Sequence, residues 1–212
     1  RGVSFEEGLR TAAAAAALVG TIVAEISTGL AGGIGRLIIE YSREATSDPA
    51  KAEGFRAFCP GIAIHSSYDA LLADPTIDAV YIPLPNHLHV EWTLKTLAAG
   101  KHVLTEKPIA MKAREIDQII AARDRTGLLA AEGYMIVHHP QWQRAKEWLA
   151  AGEIGTLVHA DVAFSFNLTD ASNIRMKPET GGRSLRDIGV YTFGSMRFVT
   201  GAEPVDISAR IH

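Results

Sequence analysis

A short polar stretch, Thr105-Glu106-Lys107-Pro108, directly follows an apolar run of the chain. If that run is a buried strand, Lys107 points into the cleft at the strand's carboxyl end, where ligands bind to parallel sheets. Partial burial and a positively charged ring nearby would both lower the pKa of the lysine. Lys107 could therefore act as an acid–base group or bind an alcohol, whereas a surface pair of Glu106 with Lys107 is an equally good interpretation of this stretch alone.

A second set of chemically useful residues lies far along the chain, near the start of a predicted helix. Asp187 and Tyr191 are four residues apart, so they share one face of that helix. An acid and a phenol on one face can hold a substrate hydroxyl between them. On their own, these two residues favour a helix-capping acid and a half-buried core tyrosine.

The elements that would position these residues are an alternation of strands and helices that begins at residue 37. Apolar runs predict strands over residues 37–41, 62–65, 79–82, 102–104 and 128–131. Helical periodicity lies between them, most clearly over residues 87–99 and 112–125. Strands joined by helices imply right-handed crossovers, so the fold class is α/β with a Rossmann-type doubly wound parallel sheet.

The pattern changes near residue 133. Residues 156–168 alternate apolar and polar side chains, which is typical of an antiparallel strand with one covered face, and residues 205–211 begin a similar pattern. We therefore predict a dinucleotide-binding domain at residues 1–132 and the start of an α+β substrate and oligomerisation domain, with a mainly antiparallel open sheet, at 133–212. Two strands make only a marginal sheet, so either the chain is a fragment, which we favour, or another chain completes the sheet.

The loops after the first strands supply candidates for the adenosine end of a dinucleotide. Ser42 and Arg43 follow a predicted strand, where a basic residue suits the 2′-phosphate of NADP and an acid would favour NAD. Glu40 and Glu44 nearby keep NAD open, and Arg43 could instead be a solvated turn residue. Gly20 is the best candidate for the first glycine of a phosphate-binding turn.

The loop at residues 83–89 holds further candidate cofactor residues, Pro83, Asn86 and His89, to which Glu106 and Lys107 of the next loop are added. Its prolines end the strand and stiffen the backbone. His87 and His89 are two positions apart and face different directions on a helix, so we expect no metal site there.

Composition narrows the class of protein. The chain has 212 residues, of which 47% are hydrophobic and 21% charged, as in a globular protein with a real core. A net charge of −3 gives no reason to expect a nucleic-acid partner. Cys59 is the only cysteine, which excludes an internal disulfide and favours the cytoplasm. The apolar residues 11–24 fall short of the ~20 needed to cross a bilayer, so we interpret them as a core segment rather than a signal peptide and expect no membrane association.

Residues 67–111 and 181–191 together resemble the glucose–fructose oxidoreductase / inositol dehydrogenase / MocA-like family, and most closely its NADP-dependent dihydrodiol and D-xylose dehydrogenase branch. The resemblance implies hydride transfer between a nicotinamide cofactor and a hydroxyl carbon of a sugar or cyclic polyol, in a homodimer or homotetramer. It places Lys107, Asp187 and Tyr191 in the catalytic site. We expect Tyr191 to accept the proton, Lys107 to lower its pKa and Asp187 to orient the substrate or Lys107, although Lys107 and Tyr191 could exchange roles.

Two departures from the family pattern keep a second hypothesis open: the altered glycine turn, and a second domain that is shorter than the family's. Ile22 stands where a small residue would let the backbone approach a pyrophosphate, and Arg183 stands where a third glycine is expected. A non-catalytic nucleotide-binding regulator on the same fold would explain the altered glycine turn. A pure sensor, however, would not need Lys107, Asp187 and Tyr191.

Overall fold

The computed structural model describes residues 63–210 together with Arg56, Pro60 and Gly61. The predictions made for Gly20, Ser42 and Arg43, and for the strand at residues 37–41, lie outside the described residues.

The described part of the chain contains a parallel sheet of three strands: β1 (Ala79–Ile82), β2 (His102–Glu106) and β3 (Ala130–Gly133). The strands are ordered β1-β2-β3, with Ala79 opposite His102 and Val103 opposite Ala130. This arrangement confirms the predicted Rossmann-type parallel sheet. Residues 63–65 take no part in it, and β3 begins two residues later than the apolar run predicts.

Helices connect the strands as the sequence pattern predicts. Helix α1 (Tyr68–Ala73) precedes β1, α2 (His89–Ala98) joins β1 to β2, and α3 (Ala113–Thr126) joins β2 to β3. A 3-10 turn at Asn86–Leu88 follows the prolines and leads into α2. Helix α3 ends at Gly127, whose φ of 67° is a left-handed conformation that glycine adopts without a Cβ clash.

The core of this region lies between the sheet and helices α2 and α3. Its buried residues are Ile82 and Val103 from the strands and Leu97 and Ala122 from the helices. Partly buried apolar side chains complete it: Val80, Leu84, Trp92, Leu94, Leu128 and Ala130. Because apolar side chains fix the helices on the sheet, the carboxyl ends of the three strands are held at one edge.

The later part of the chain contains α4 (Pro140–Ala150), α5 (Ser184–Asp187) and α6 (Gly189–Thr200). Helix α4 packs against α6. The single helix predicted over residues 184–199 is divided at Ile188, whose φ of −118° departs from helical geometry. Two 3-10 turns, Ile174–Met176 and Pro178–Thr180, precede α5.

The strands predicted over residues 156–168 and 205–211 do not form in the described part of the chain. Residues 156–168 and 205–210 have no regular secondary structure, and Val158 and Val205 are 92% and 104% exposed. A strand exists only when a neighbouring strand pairs with its backbone, and no described segment does so here. Among residues 63–210, no helix combines the length and apolarity that crossing a bilayer requires.

Candidate active site

The structure brings together two residues that are far apart in sequence, Lys107 and Asp187. Lys107 follows β2, and Asp187 is the last residue of α5. The lysine Nζ lies 3.2 Å from Asp187 Oδ1 and donates to the Asp187 backbone oxygen at 2.5 Å. Their side chains are only 12% and 13% exposed, so this is an ion pair in a largely desolvated place.

Tyr191 lies beside this ion pair, in the first turn of α6. The Lys107 Nζ is 4.6 Å from the centroid of the Tyr191 ring, which is a cation–π distance. The ring of Tyr191 also stacks on Tyr134 at 6.2 Å between centroids and meets Phe164 at 5.3 Å. The Lys107 ammonium is therefore held between a carboxylate and an aromatic cluster.

Arg175 completes the charged group, and the sequence analysis did not single it out. Its Nε is 3.0 Å from Asp187 Oδ2, on the side of the carboxylate away from Lys107. It lies in the 3-10 turn Ile174–Met176, within a stretch whose sequence has no periodicity. The sequence offers one weak signal for Arg175, its position shortly before Gly181 and Gly182. Basic residues near glycines are common in surface loops, so that signal is not specific.

The electrostatics differ from the expected assignment of roles. Burial lowers the pKa of Lys107; Asp187 and Glu106 oppose that shift, and Arg175 adds to it. Burial raises the pKa of Tyr191, and the charges of Glu106 and Asp187 raise it further. The pKa of Tyr191 is thus raised rather than lowered, and of the two groups Lys107 is the one whose pKa moves toward neutral pH.

Glu106, which the sequence predicts to bind the cofactor, is hydrogen-bonded by groups of its own chain. Its Oε1 accepts a hydrogen bond from the Tyr81 hydroxyl at 2.8 Å, and its Oε2 accepts one from the Lys107 backbone N–H at 3.2 Å. Burial raises the pKa of Tyr81, so the phenol stays protonated and remains a donor. These contacts fix the end of β2 just before Lys107.

The loop after β1 places its three candidate residues differently. Pro83 is partly buried at the end of the strand. Asn86 Nδ2 donates to the backbone oxygen of Gly181 at 2.9 Å, so its amide joins this loop to the one before α5. His89 has no exposed surface.

His89, which the sequence predicts to bind the cofactor, has both ring nitrogens beside backbone oxygens of its own chain. Its Nδ1 is 2.7 Å from the Pro108 oxygen and its Nε2 is 2.6 Å from the Leu84 oxygen. The ring therefore ties the loop after β1 to the loop that carries Lys107. Its contribution to the site is structural, through the backbone on either side of it.

The loop before α5 is closely packed at Gly182 and strained at Arg183. A Cβ at Gly182 would lie 2.5 Å from the Ile174 oxygen and 2.6 Å from the Arg175 oxygen. Arg183 has φ 79° and ψ 155°, a region that is essentially restricted to glycine. Arg183, which stands where the family pattern has a third glycine, therefore adopts a glycine-like backbone conformation.

Within residues 63–210, no group of three or more His, Cys, Asp or Glu side chains is placed to hold a metal ion. His87 is exposed and His89 is buried, so the two do not face a common point.

Comparison with known families agrees with this architecture. A model of the oxidoreductase family with an NAD-binding Rossmann fold matches residues 41–134, and a GFO/IDH/MocA C-terminal domain matches residues 142–212. The chain belongs to the GFO/IDH/MocA oxidoreductase family. The resemblance inferred from the motifs around Lys107 and Asp187 is thereby confirmed, as is the assignment of a C-terminal domain of this family.

The similar curated proteins include several enzymes that act on sugars. The chain is 46% identical over 145 residues to an uncharacterized oxidoreductase of Rhizobium meliloti, covering 68% of this chain and 43% of that one. It is 42% identical to dTDP-3,4-didehydro-2,6-dideoxy-alpha-D-glucose 3-reductase of Saccharopolyspora spinosa, covering 69% and 44%. It is 39% identical to an NADP-dependent D-xylose 1-dehydrogenase of Haloferax volcanii, covering 76% and 50%. The chain thus spans about half the length of these relatives.

Solved structures give the same fold. A 3-ketoreductase from Actinomadura kijaniata in complex with NADP and TDP-benzene superposes with a TM-score of 0.58 at 31% identity, over 73% of this chain and 47% of that one. An oxidoreductase from Thermotoga maritima superposes with a TM-score of 0.61 at 28% identity, over 73% and 49%.

Proposed function

We propose that this chain belongs to an NADP-dependent oxidoreductase that transfers hydride between nicotinamide and a hydroxyl-bearing carbon of a sugar or cyclic polyol. The observation that carries the proposal is the contact of Lys107 with Asp187 beside the ring of Tyr191, at the carboxyl end of β2. The names of the relatives, a D-xylose dehydrogenase and reductases of keto sugars, support the substrate class.

The residues around Lys107 fit the reactive end of a nicotinamide cofactor. The carboxyl ends of β1 and β2 lie side by side, as in sheets that bind dinucleotides, and Lys107 follows β2 at that edge. When bound, NADP supplies the hydride chemistry, and the protein supplies placement and proton handling. Gly20, Ser42 and Arg43 are proposed to hold its phosphates, with the basic residue on the 2′-phosphate.

In this proposal Lys107 handles the proton of the reacting hydroxyl. Burial lowers the pKa of Lys107 and so favours its neutral amine, whose Nζ accepts the substrate proton during oxidation and returns it during reduction. Asp187 orients Lys107. Tyr191, with a raised pKa, stays protonated and donates a hydrogen bond to the same substrate oxygen.

The spacing of Lys107 and Tyr191 supports their joint assignment. The solved structures of the Actinomadura kijaniata 3-ketoreductase include a lysine-to-glutamate variant and a tyrosine-to-phenylalanine variant, each with TDP-benzene and NADP. The two substituted positions are as far apart in that sequence as Lys107 and Tyr191 are in this one.

The direct test is turnover of a panel of sugars and polyols, followed by the near-ultraviolet absorbance of NADPH. Replacing Lys107 by Met should lower kcat by about 100-fold to 10,000-fold on any accepted substrate, because general acid–base catalysis contributes about that much. Lys95→Met is the matched control, since Lys95 is exposed on α2 and pairs with Glu91. Tight NADPH binding without turnover of any sugar would favour the non-catalytic regulator instead.

We also propose that the chain divides into two domains, residues 1–132 and 133–212. We further propose that the protein forms a homodimer or homotetramer and is located in the cytoplasm. The change of matching family model between residues 134 and 142 supports the boundary. Exposed apolar side chains at Val158, Phe164 and Ile207 support a sheet that associates with another surface. Light scattering of the purified protein tests the oligomeric state.

A further inference from the structure

The carboxylate of Asp187 is shared between two cations that come from different parts of the chain. Its Oδ1 lies 3.2 Å from Lys107 Nζ, and its Oδ2 lies 3.0 Å from Arg175 Nε. The carboxylate is 13% exposed and the Arg175 side chain 30% exposed. Both oxygens are therefore engaged, one with each cation, and the carboxylate cannot rotate without losing a partner.

Arg175 is itself fixed relative to Asp187 through the backbone. Its N–H is capped by the side chain of Asn173 at 3.0 Å, and its oxygen accepts from the backbone N–H of Arg183 at 2.6 Å. Arg183 immediately precedes α5, the short helix that ends at Asp187. Gly182 packs its α-carbon against the same turn, because a Cβ there would collide with the Arg175 oxygen. Arg175 and Asp187 thus belong to one closely packed unit.

We propose that Arg175 is a positioning residue of this site. By holding one oxygen of Asp187, it directs the other oxygen to Lys107 and keeps the ammonium beside Tyr191, where the substrate oxygen would react. This inference rests on the proposed function, and it assigns to Arg175 an action through Asp187 and Lys107 rather than a contact with the reacting atoms.

The charge arrangement gives this role a consequence that can be measured. One carboxylate shared by two cations balances each of them less fully than an exclusive pair would. The groups facing Lys107 come from every element packed around it: His89, Glu106, Glu132, Arg175, Asp187 and Tyr191. Among them, Arg175 acts against the charged lysine.

Removing the charge of Arg175 should leave Asp187 to Lys107 alone. The ammonium form of Lys107 would then be more stable, and its pKa would rise. During oxidation the neutral amine accepts the substrate proton, so kcat falls at low pH, where Lys107 is protonated. This acid limb of the plot of kcat against pH should therefore move to higher pH. A shift of about one pH unit corresponds to an activity loss of about tenfold on that limb.

The experiment compares Arg175→Met and Arg175→Lys with the unaltered protein, using kcat and KM for NADP-dependent oxidation of the best sugar across the pH range. Arg175→Met should move the acid limb upward by about one pH unit, and Arg175→Lys should largely restore it because the charge is kept. Arg186→Met is the matched control, because Arg186 is adjacent to Asp187 and forms no ion pair within residues 63–210. The acid limb of kcat for this variant should not move.

Two further measurements keep the proposal falsifiable. If Arg175→Met does not fold, Arg175→Gln takes its place in the same comparison. Combined with Asp187→Asn, the Arg175 substitution should move the acid limb less than it does alone, because only its direct charge repulsion with Lys107 remains once that carboxylate is gone. An unmoved limb in a folded Arg175→Met or Arg175→Gln variant, or a full additional shift in the Asp187→Asn background, would overturn the inference.

A readout without turnover separates this inference from the proposed function. Sub-stoichiometric acetic anhydride labels neutral amines, and peptide mass spectrometry reports the labelling of Lys107 as a function of pH. If no sugar is oxidised but the labelling midpoint still rises in Arg175→Met, the positioning role stands and the proposed reaction fails. If sugars are oxidised but neither the midpoint nor the limb moves, the reaction stands and the role of Arg175 fails.

Discussion

At the scale of single residues, the site depends on the balance of charges around Lys107. Its pKa is lowered chiefly by burial, and Asp187 is the largest influence in the opposite direction. Asp187, which favours the ammonium, contacts Lys107 directly, and Arg175, which disfavours it, contacts the other oxygen of the same carboxylate. Removing the charge at Asp187 and removing it at Arg175 should therefore shift the pKa of Lys107 in opposite directions. A merely structural disturbance would not produce opposite shifts.

Replacing Asp187 by Asn should shift the acid limb of kcat for oxidation to lower pH. The amide removes the negative charge that stabilises the Lys107 ammonium, so the pKa of the lysine falls further. Its orientation is lost as well, and we expect kcat on the plateau to fall by about tenfold or more. A pH series of steady-state rates measures both effects, and a limb that moved upward would contradict this assignment of charges.

Replacing Arg183 by Gly should stabilise the protein. Arg183 has φ 79° and ψ 155°, which costs a side-chain-bearing residue about 1–3 kcal/mol and costs glycine little. Arg183→Ala is the control, because it removes the guanidinium but keeps the Cβ that causes the strain. Urea unfolding should show a higher free energy of unfolding for the glycine variant alone, and an equal gain for alanine would place the effect in the charge.

The sequence allowed Lys107, Asp187 and Tyr191 to be selected, and the structure brings all three together. Arg175 could not be found, because it lies twelve positions before Asp187 in irregular backbone and only the folded loop places them in contact. For a related reason, the sequence did not reveal the backbone contacts of His89. A histidine after a strand can face the cleft or turn inward to backbone carbonyls, and spacing alone does not distinguish these orientations.

At the scale of elements, helix α6 is fitted closely to the aromatic cluster beside Lys107. An added Cβ at Gly194 would lie 2.1 Å from the Tyr134 hydroxyl oxygen and 2.7 Å from the ring carbon that bears it. That hydroxyl donates to the Val190 oxygen at 3.0 Å, and the same ring stacks on Tyr191. The absence of a side chain at Gly194 therefore determines where both tyrosines lie.

Gly194→Ala should displace the Tyr134 ring and disturb Tyr191 with it. We expect a loss of about 1–3 kcal/mol in the free energy of unfolding, because a rigid ring cannot yield as a flexible chain does. Gly189→Ala on the same helix is the control: its nearest neighbour is Leu185 Cδ1 at 3.3 Å, on a movable side chain. Thermal unfolding and kcat measure the two variants, and equal behaviour would contradict the steric account.

Helices and strands could be predicted from the sequence where the signal lies within a few neighbouring residues. The ends of α2 and α3 lie at the glycines Gly100 and Gly127, both with positive φ, as the sequence indicated. The strands predicted at residues 156–168 and 205–211 do not form among the described residues. An alternating pattern indicates which side chains of a strand would be covered, but it does not indicate whether a second strand is present to pair with it. The break at Ile188 likewise has no signal in composition, since the residues on either side are compatible with one helix.

At the scale of the whole molecule, a side-chain hydrogen bond joins the two matched family regions near the site. Asn86, after β1, donates to the Gly181 oxygen at 2.9 Å, and Gly181 could not carry a Cβ without meeting Asn86 itself. The contact links the loop of the parallel sheet with the loop that precedes α5. The relative placement of Lys107 and Asp187 depends on that link.

Asn86→Ala should lower the free energy of unfolding by about 1 kcal/mol, because a partly buried carbonyl loses its donor. Asn86→Asp should cost more, since a carboxylate oxygen would then face the carbonyl oxygen of Gly181. Both variants should lower kcat through the Lys107–Asp187 geometry. Chemical denaturation and steady-state rates provide the measurement, and a smaller loss for the aspartate variant would argue against this hydrogen bond.

The contact between the Lys107 amine and the Asp187 carboxylate also makes the molecule a target for zero-length chemical coupling. A carbodiimide activates a carboxylate, and an amine 3.2 Å away is placed to capture it as an amide. The product would tie residues 107 and 187 into one covalent ring that proteolysis could not separate. A sugar bound over the pair should shield both groups from the carbodiimide, so the yield of that ring would report occupancy directly, without any need for catalysis.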